Sequence, residues 1–424
     1  MKSQILAEAA RVAGIEAYYD GSRYLFDNGR DYVPMDARSI KKQLEIRGIS
    51  PAADYMCLIQ TDRFIKYAGP LAGRKRGIHE SNGDLLLATV NPKIIKSSPG
   101  PFPTIRKFIV DLLGGDDHKQ AQVDAFMGWM KTARKSMLDG VRRPGQALVL
   151  AGPIQCGKTQ LIKQIITPSM GGRDARPYKY LSGCNTFNAD LIGAEVLIID
   201  DETAATRIEK RRALGDGIKN ALFAASVRIE GKFKNAFDFD PLWRLVIAVN
   251  DEPESLMVLP PLAADLADKL ITLKCWKALE LDDASFQQWQ ADIRGELPQF
   301  LHAVENFQIA PDQIDGRCGV KSFYHPDVVA AISELSPEHQ LRNLIDVTIA
   351  DGGICLPWQG TAAQLRSVLM ASAGIRNDTE KLLGSSAVNC GRYLGRLIGK
   401  GVEKLHIEDD NQIWKITKRG EIGR

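Results

Sequence analysis

One stretch of the sequence has the residue types and spacing of a phosphate-binding loop. Residues 152–159 read Gly-Pro-Ile-Gln-Cys-Gly-Lys-Thr and fit the pattern GxxxxGK(S/T) without a mismatch. Gly152 and Gly157 allow backbone N–H groups to wrap phosphate oxygens with no Cβ in the way. We expect Lys158 to reach the β- and γ-phosphates of ATP and Thr159 to offer its hydroxyl to Mg²⁺. An apolar strand pattern precedes this loop and an apolar helix pattern follows it.

A second apolar strand pattern, residues 196–199, ends in three consecutive acids, Asp200, Asp201 and Glu202. Adjacent carboxylates repel one another, so their clustering is best explained where a divalent cation and a water need them. We assign Asp200 to Mg²⁺ through a water molecule and Asp201 to orienting the attacking water. A register with Asp201 and Glu202 in these roles also fits, as does a solvated acidic turn.

A third strand pattern, residues 245–249, ends in Asn250. A side-chain amide there can contact the γ-phosphate and help to hold the water. Asparagine is common where strands end, so this prediction depends on its order after the two preceding motifs.

Between the acidic strand and Asn250, residues 227–239 alternate in character around Gly231 and predict a β-hairpin. The segment carries Lys232, Phe233 and Lys234. Lysines beside an aromatic ring suit a loop that follows single-stranded DNA, because the ammonium groups meet phosphates and the ring stacks on a base. The alternative is an exposed hairpin whose lysines only keep it soluble.

These motifs lie in a region where short apolar strands alternate with helices, which indicates a buried parallel sheet and an α/β fold. The predicted elements are helices at 104–113, 119–138, 158–166 and 208–225, and strands at 147–151, 178–181, 196–199, 245–249 and 270–273. Upstream, residues 18–34 predict short strands joined by Asp-Gly and Asn-Gly turns, and residues 83–90 predict another strand.

The tail from residue 358 has the order of a winged helix: helix 362–371, a loop, helix 385–400 and a strand pair at 404–407 and 412–416. Arg392, Arg396 and Lys400 recur every four residues and share one stripe, which suits contact with duplex DNA. The apolar side of this helix is expected to consist of Val388, Leu394, Leu397 and Ile398. Residues 358–424 hold eleven Lys/Arg and seven Asp/Glu, a local charge of +4. A packing domain that contacts protein is the alternative.

Composition narrows the class of protein. The chain has 424 residues, a formal charge of +3, 44% hydrophobic and 25% charged residues, so nucleic-acid binding has to come from local patches. Seven cysteines without a CxxC pair indicate a reducing cytoplasm. The N-terminus shows no signal peptide, no stretch is long and apolar enough for a membrane helix, and the six histidines form no metal-ligand pattern.

The order of phosphate loop, acidic strand, lysine-bearing hairpin and strand ending in asparagine resembles superfamily 3 helicases. More narrowly it is similar to the helicase part of phage and plasmid primase-helicase replication proteins, including the virulence-associated E-like group. Residues 80–280 carry the likeness, with GDLLLATVNP and SSPGPFPTIRKFIVDLLGGD upstream of the phosphate loop. The resemblance implies an AAA+-type core, a hexameric ring, ATP hydrolysis at subunit interfaces, and Lys232 and Lys234 on a hairpin that lines the pore.

Two departures from that pattern stand out. The family usually has an arginine after the asparagine strand that serves the neighbouring subunit, whereas residues 264–269 hold none. Either Lys269 substitutes for it, or the arginine is Arg207, Arg211 or Arg212. The first hundred residues also lack a primase-type acidic triad, so any primase or polymerase is expected to be a separate partner.

The predicted organisation is an N-terminal α+β accessory domain (1–100), a helical collar (101–142), the ATPase domain (143–280), a helical linker (281–340) and a winged-helix-like DNA-binding domain (341–424). The predicted function is an ATP-dependent DNA helicase of a phage, plasmid or mobile-element replication system that moves along single-stranded DNA. The alternative is an ATP-switched initiator or an antiphage-defence ATPase that assembles on DNA without processive unwinding.

Overall fold

The computed structural model describes residues 14–200, 208–232, 236–260, 266–280, 282–334, 336–408 and 411–418. Asp201, Glu202, Arg207, Phe233 and Lys234 lie outside the described residues. The chain forms two compact units, residues 1–328 and 329–424. Every helix of the described part is too short or too polar to cross a membrane.

The first unit begins with two small sheets and a helix pair. Strands β1 (Ala17–Tyr19), β2 (Tyr24–Asp27) and β3 (Tyr32–Met35) form an antiparallel meander. Its two turns are the predicted ones, since Gly21 and Gly29 have φ of 91° and 87°. Helices α1 (Ala37–Ile46) and α2 (Ala52–Asp62) follow and were not predicted.

The second small sheet consists of β4 (Tyr67–Gly69), β5 (Gly77–Ser81) and β6 (Asp84–Ala88), with β6 in the middle. Two helices then lead into the main sheet, α3 (Pro103–Leu113) and α4 (Lys119–Asp139), as predicted. The apolar faces of both helices pack in the main core of this unit.

That main sheet is parallel and five-stranded, which confirms the α/β class. In chain order the elements around it are β7 (Ala147–Ala151), α5 (Lys158–Gln160), a π-helical segment (Leu161–Ile166), α6 (Thr167–Ser169), β8 (Asp174–Ala175), α7 (Tyr178–Leu181), β9 (Val196–Asp200), α8 (Ile208–Phe223), β10 (Val227–Ile229), β11 (Phe237–Phe239), β12 (Arg244–Val249), α9 (Pro253–Leu256), β13 (Leu270–Lys274) and α10 (Asp283–Asn306). The strand order is β13-β7-β12-β9-β8, and all neighbouring strands run parallel. The three central strands are almost fully apolar and buried because helices cover the sheet.

One predicted strand is wrong. Residues 178–181 form helix α7, whose backbone bonds run from Leu181 to Pro177 (2.9 Å) and from Ser182 to Tyr178 (2.9 Å). Four residues of Tyr-Lys-Tyr-Leu fit one helical turn as well as a strand, so periodicity could not decide between them. The edge of the sheet is instead the two-residue strand β8.

The second unit is a helical cluster with a three-stranded sheet. Its elements are α11 (Pro326–Glu334), whose first residues belong to the first unit, α12 (Pro337–Ala350), β14 (Trp358–Thr361), α13 (Ala362–Ala371), α14 (Arg376–Leu383), α15 (Ala387–Arg396), β15 (Val402–Glu408) and β16 (Asn411–Ile416). The sheet has β16 between β14 and β15, both antiparallel to it.

The prediction for the apolar side of the helix that carries Arg392 and Arg396 is half right. Leu394 and Leu397 are buried, but Val388 and Ile398 are 65% and 50% exposed. The helix ends at Arg396, so Ile398 lies beyond it and the predicted extension to residue 400 is wrong. Gly395 and Gly399 surround that end, and glycine weakens a helix. Helix α14 occupies what was predicted as a loop.

Candidate functional site

The loop after β7 has the backbone that phosphate binding requires. Gly157 has a φ of 116°, which only glycine adopts without strain. A Cβ on Gly152 would lie 2.4 Å from the carbonyl oxygen of Cys275, so only glycine fits there. Helix α5 begins at Lys158, and its first N–H groups point into the loop. The positions of both glycines therefore have steric reasons.

Lys158 is buried inside this loop, with 7% of its surface exposed. Its Nζ donates to the carbonyl oxygens of Gly152 (2.7 Å) and Pro153 (2.8 Å) and to Oδ1 of Asn250 (3.1 Å). The ammonium group thus sits at the centre of the curled backbone, where three oxygen acceptors compensate for its burial.

Thr159 and Asp200 meet across the edge of the sheet. The Thr159 hydroxyl donates to Oδ2 of Asp200 at 3.1 Å. Asp200 is the last residue of β9, and Thr159 lies in the first turn of α5. A hydroxyl and a carboxylate side by side form an oxygen donor set of the kind that Mg²⁺ prefers.

Strand order explains why Asn250 completes this group. Strand β12 lies between β7 and β9, so the residue after β12 falls between the phosphate loop and Asp200. The carboxyl ends of parallel strands meet at one edge of a sheet, which is where such folds bind ligands. The structure brings Lys158, Thr159, Asp200 and Asn250 together there. The contact with Thr159 favours Asp200 as the first acid of the motif.

Two cysteines beside the loop were not singled out from the sequence. Cys156 and Cys275 are both buried at 1% exposure, and Cys156 Sγ lies 3.7 Å from Nζ of Lys158. A hydrogen bond from the Cys275 thiol, together with the nearby ammonium group, lowers the pKa of Cys156. Burial raises the pKa of Cys275. No local signal in the sequence links two cysteines that are brought together only by pairing of β13 with β7.

The hairpin predicted between the acidic strand and Asn250 is present. Strands β10 and β11 pair antiparallel, with Val227 opposite Phe239. Asn188, which is fully buried, holds strand β10 of the hairpin: its Nδ2 donates to the Arg228 carbonyl (2.9 Å) and its Oδ1 accepts from the N–H of Glu230 just after the strand (2.8 Å). Lys232 lies exposed near the tip. No motif in the sequence marks Asn188 as part of the hairpin.

In the second unit, the three predicted basic residues are all exposed. Arg392 Nη1 lies 3.3 Å from Oδ1 of Asn389, and Arg396 pairs with Glu338 at 3.3 Å. Lys400 lies beyond the end of α15. The stripe is therefore partly neutralised at Arg396.

Comparison with known proteins identifies a fold. A model of a family of unknown function, DUF5906, matches residues 150–258, the stretch from the end of β7 past Asn250. None of the curated proteins matches the chain. The apo structure of the NrS-1 C-terminal region (305–718) aligns with 97% of this chain and 98% of its own, at a TM-score of 0.58 and 14% identity. The two chains share one fold.

A second structure, the A form of the same NrS-1 region, covers the same shares at a TM-score of 0.56 and 12% identity. Such identities establish the fold and no more. A structure of JCV helicase with a bound acetamide compound aligns with 59% of this chain at a TM-score of 0.25, which is too low to carry a conclusion.

The residues proposed to serve a neighbouring subunit differ in accessibility. Arg211 is 5% exposed, and its Nε donates to the carbonyl of Leu259 (2.9 Å), so it cannot reach another molecule. Arg212 is exposed. Lys269 pairs with Asp268 at 2.5 Å, and its side chain is 14% exposed.

A histidine–carboxylate group lies elsewhere in the first unit, although the sequence suggested no such cluster. His325, Asp116 and Asp327 place ligand atoms within 4.8 Å of one another. His325 Nε2 bonds Asp116 (2.7 Å), and its Nδ1 accepts from the N–H of Asp327 (3.3 Å). Asp327 also pairs with Lys274 at 2.5 Å. Both ring nitrogens are thus used within the protein, so we interpret the group as structural.

Proposed function

We propose that this protein is an ATP-driven DNA motor, a helicase or translocase of a replication system. The observation that carries the proposal is the convergence of Lys158, Thr159, Asp200 and Asn250 at the carboxyl edge of one parallel sheet. A loop that only bound phosphate would need no carboxylate and no amide opposite it.

In the proposed reaction Lys158 exchanges the carbonyl oxygens of Gly152 and Pro153 for phosphate oxygens of ATP. Thr159 and Asp200 would hold Mg²⁺, Asp200 through a water molecule, and the bound ion would supply positive charge beside the phosphates. Asn250, already within 3.1 Å of the Lys158 ammonium, contacts the γ-phosphate and helps to position the attacking water. Asp201 is proposed to orient that water.

DNA binding is proposed for two surfaces. Lys232, Phe233 and Lys234 at the hairpin tip follow single-stranded DNA, with lysines on phosphates and the ring on a base. Arg392, Arg396 and Lys400 contact the phosphates of a duplex, in a domain of the winged-helix kind. Rigid support of the hairpin by Asn188 is consistent with a loop that transmits force.

We further propose that the protein works as a homo-oligomeric ring, a hexamer in the family it resembles, with ATP held between subunits of an AAA+-type core. A basic residue of one subunit then completes the site of the next. Arg212 is favoured over Arg211 because it is accessible. A primase or polymerase is proposed as a separate partner.

ATP hydrolysis with and without single-stranded DNA tests the proposal. DNA should stimulate the wild-type rate, and Lys232→Ala with Lys234→Ala should abolish the stimulation while leaving the basal rate. Arg30→Ala with Lys42→Ala removes the same charge from exposed positions far along the chain and is the matched control. Stimulation that survives the hairpin variant would overturn the strand-following role.

A further inference from the structure

The strand order limits where the nucleoside part of a bound nucleotide can lie. Asn250 follows β12 and Asp200 ends β9, and both strands lie on one side of β7. If the γ-phosphate points to these residues, the phosphate chain runs along the loop away from them. The base must then leave on the opposite side, where β13 borders β7.

Two backbone bonds tie that side to the phosphate loop. The N–H of Cys275 donates to the carbonyl of Ala151 (2.7 Å), and the N–H of Ala278 donates to the carbonyl of Cys156 (3.1 Å). Residues 275–280 therefore run alongside the phosphate loop. Helix α10 starts shortly afterwards, capped by Asp282, whose Oδ1 accepts from the N–H of Ser285 (2.8 Å).

A series of three aromatic rings starts at the phosphate loop. A Cβ on Gly157 would lie 3.0 Å from the Phe108 ring, so that ring abuts the loop itself. Phe108 meets Trp289 edge-on with ring centroids 5.1 Å apart. Trp289 in turn stacks on Phe286, at 5.7 Å and an interplanar angle of 15°.

The rings differ in burial. Phe108 and Trp289 belong to the core at 2% and 8% exposure, whereas Phe286 is only partly buried and packs on the outside of that core. A partly exposed ring at the end of a stack has the chemistry of a platform for a flat, apolar face.

We propose that Phe286 is the platform on which the base of the bound nucleotide stacks. The inference rests on the proposed ATP binding and adds the subsite for the base. Trp289 and Phe108 position the ring by packing behind it and join it to the phosphate loop. Because Phe286 offers only an apolar ring, stacking contributes more than hydrogen bonding to the base edge.

Comparison of ATP with inorganic tripolyphosphate isolates the contribution of the base. The full-length chain is titrated with each ligand in the presence of Mg²⁺ by calorimetry. Phe286→Ala should raise the Kd for ATP by at least about fivefold, the size expected for loss of one base–aromatic contact. The Kd for tripolyphosphate should not change, since that ligand has no base. Gln287→Ala, an exposed neighbour in the same helical turn, is the matched control.

Other results of these titrations would overturn either the role of Phe286 or the proposed function. If Phe286→Ala leaves ATP affinity unchanged, or weakens both ligands equally, the base does not stack on this ring and the inference is wrong. Phe286→Tyr keeps an aromatic face and should retain wild-type affinity for ATP; a loss equal to that of the alanine variant would also overturn it. If wild-type protein and Lys158→Ala bind ATP equally, the proposed function itself fails.

Discussion

At the scale of single residues, Lys158 is the side chain on which the proposed nucleotide site depends. Its ammonium group is buried and satisfied by two loop carbonyls and one amide oxygen. These neutral acceptors can be exchanged for charged phosphate oxygens, which form stronger hydrogen bonds with an ammonium group. Binding therefore replaces weaker contacts with stronger ones.

Replacement of Lys158 by alanine should lower kcat for ATP hydrolysis by at least about 100-fold, because one positioned charge near the transferred phosphate is lost. The measurement is phosphate release under saturating ATP and Mg²⁺. Lys163→Ala is the control: its Nζ pairs with Asp174 at 2.8 Å on the surface. Equal rates for the two variants would contradict the assignment.

The residues of the proposed phosphate loop are the easiest to predict from sequence, because their spacing follows from the local geometry of one loop. Asp200 and Asn250 were predicted from strand ends, but the strand order that makes them neighbours is a property of the whole sheet. Cys275 and Phe286 could not be predicted to lie near the loop, since only tertiary pairing brings them there.

At the scale of elements, the hairpin β10–β11 depends on one buried amide. Asn188 makes three hydrogen bonds to backbone groups of Arg228 and Glu230, two through its side chain and one through its own N–H, and the N–H of Ala189 adds a fourth to the carbonyl of Glu230. Two strands of three residues each would hold together poorly without such support.

Asn188→Ala should therefore abolish stimulation of ATP hydrolysis by single-stranded DNA while the basal rate falls less than twofold. The substitution leaves the partly buried carbonyl of Arg228 and N–H of Glu230 without their side-chain partner, at a cost of about 1–3 kcal/mol. Hydrolysis is measured across a DNA titration. Asp190→Ala, exposed two residues away, should behave as wild type. Full stimulation of Asn188→Ala would show that hairpin geometry does not matter.

Helix α15 has its own test. Arg392→Ala with Arg396→Ala should weaken duplex binding, and the slope of log K against log salt should become less steep by about 2 if both contact phosphate. Because Arg396 pairs with Glu338, the decrease is expected to come first from Arg392. Lys381→Ala on α14 is the control. An unchanged slope would place duplex contact elsewhere.

Long elements with strong periodicity were predicted well, as α3, α4 and the central strands show. Short elements are harder to predict. The pattern at α7 indicates a strand, and no clear pattern marks α1, α2 or α14. In these segments the propensities are weak, and packing against neighbours decides the conformation.

At the scale of the whole molecule, hydrogen bonds made by Glu195 and Arg173 join residues 71–73 to the start of β9 in the main sheet. Glu195, fully buried just before β9, accepts from Nε of Arg173 (3.0 Å) and from the N–H of Gly73 (3.1 Å). Arg173 also donates to the carbonyl of Leu71 (3.0 Å). The strand that ends in Asp200 thus begins at a contact with residues 71–73.

Glu195→Ala should lower the free energy of unfolding of the first unit by about 3 kcal/mol, since it leaves a guanidinium group and a backbone N–H without their acceptor. Urea unfolding followed by circular dichroism measures the change. Asp174→Ala removes the exposed partner of Lys163 and should cost less than about 1 kcal/mol. Similar losses for both variants would show that the Glu195 contact is not structural.

The most direct test of the proposed motor is displacement of a labelled strand from a forked DNA duplex. Wild-type protein should release the strand with ATP and Mg²⁺, and release should stop with a non-hydrolysable ATP analogue or with Lys158→Ala. Negative-stain images of the same mixture should show rings on DNA. Rapid ATP hydrolysis with the fork left intact would contradict the motor and favour a switch that assembles on DNA without unwinding it.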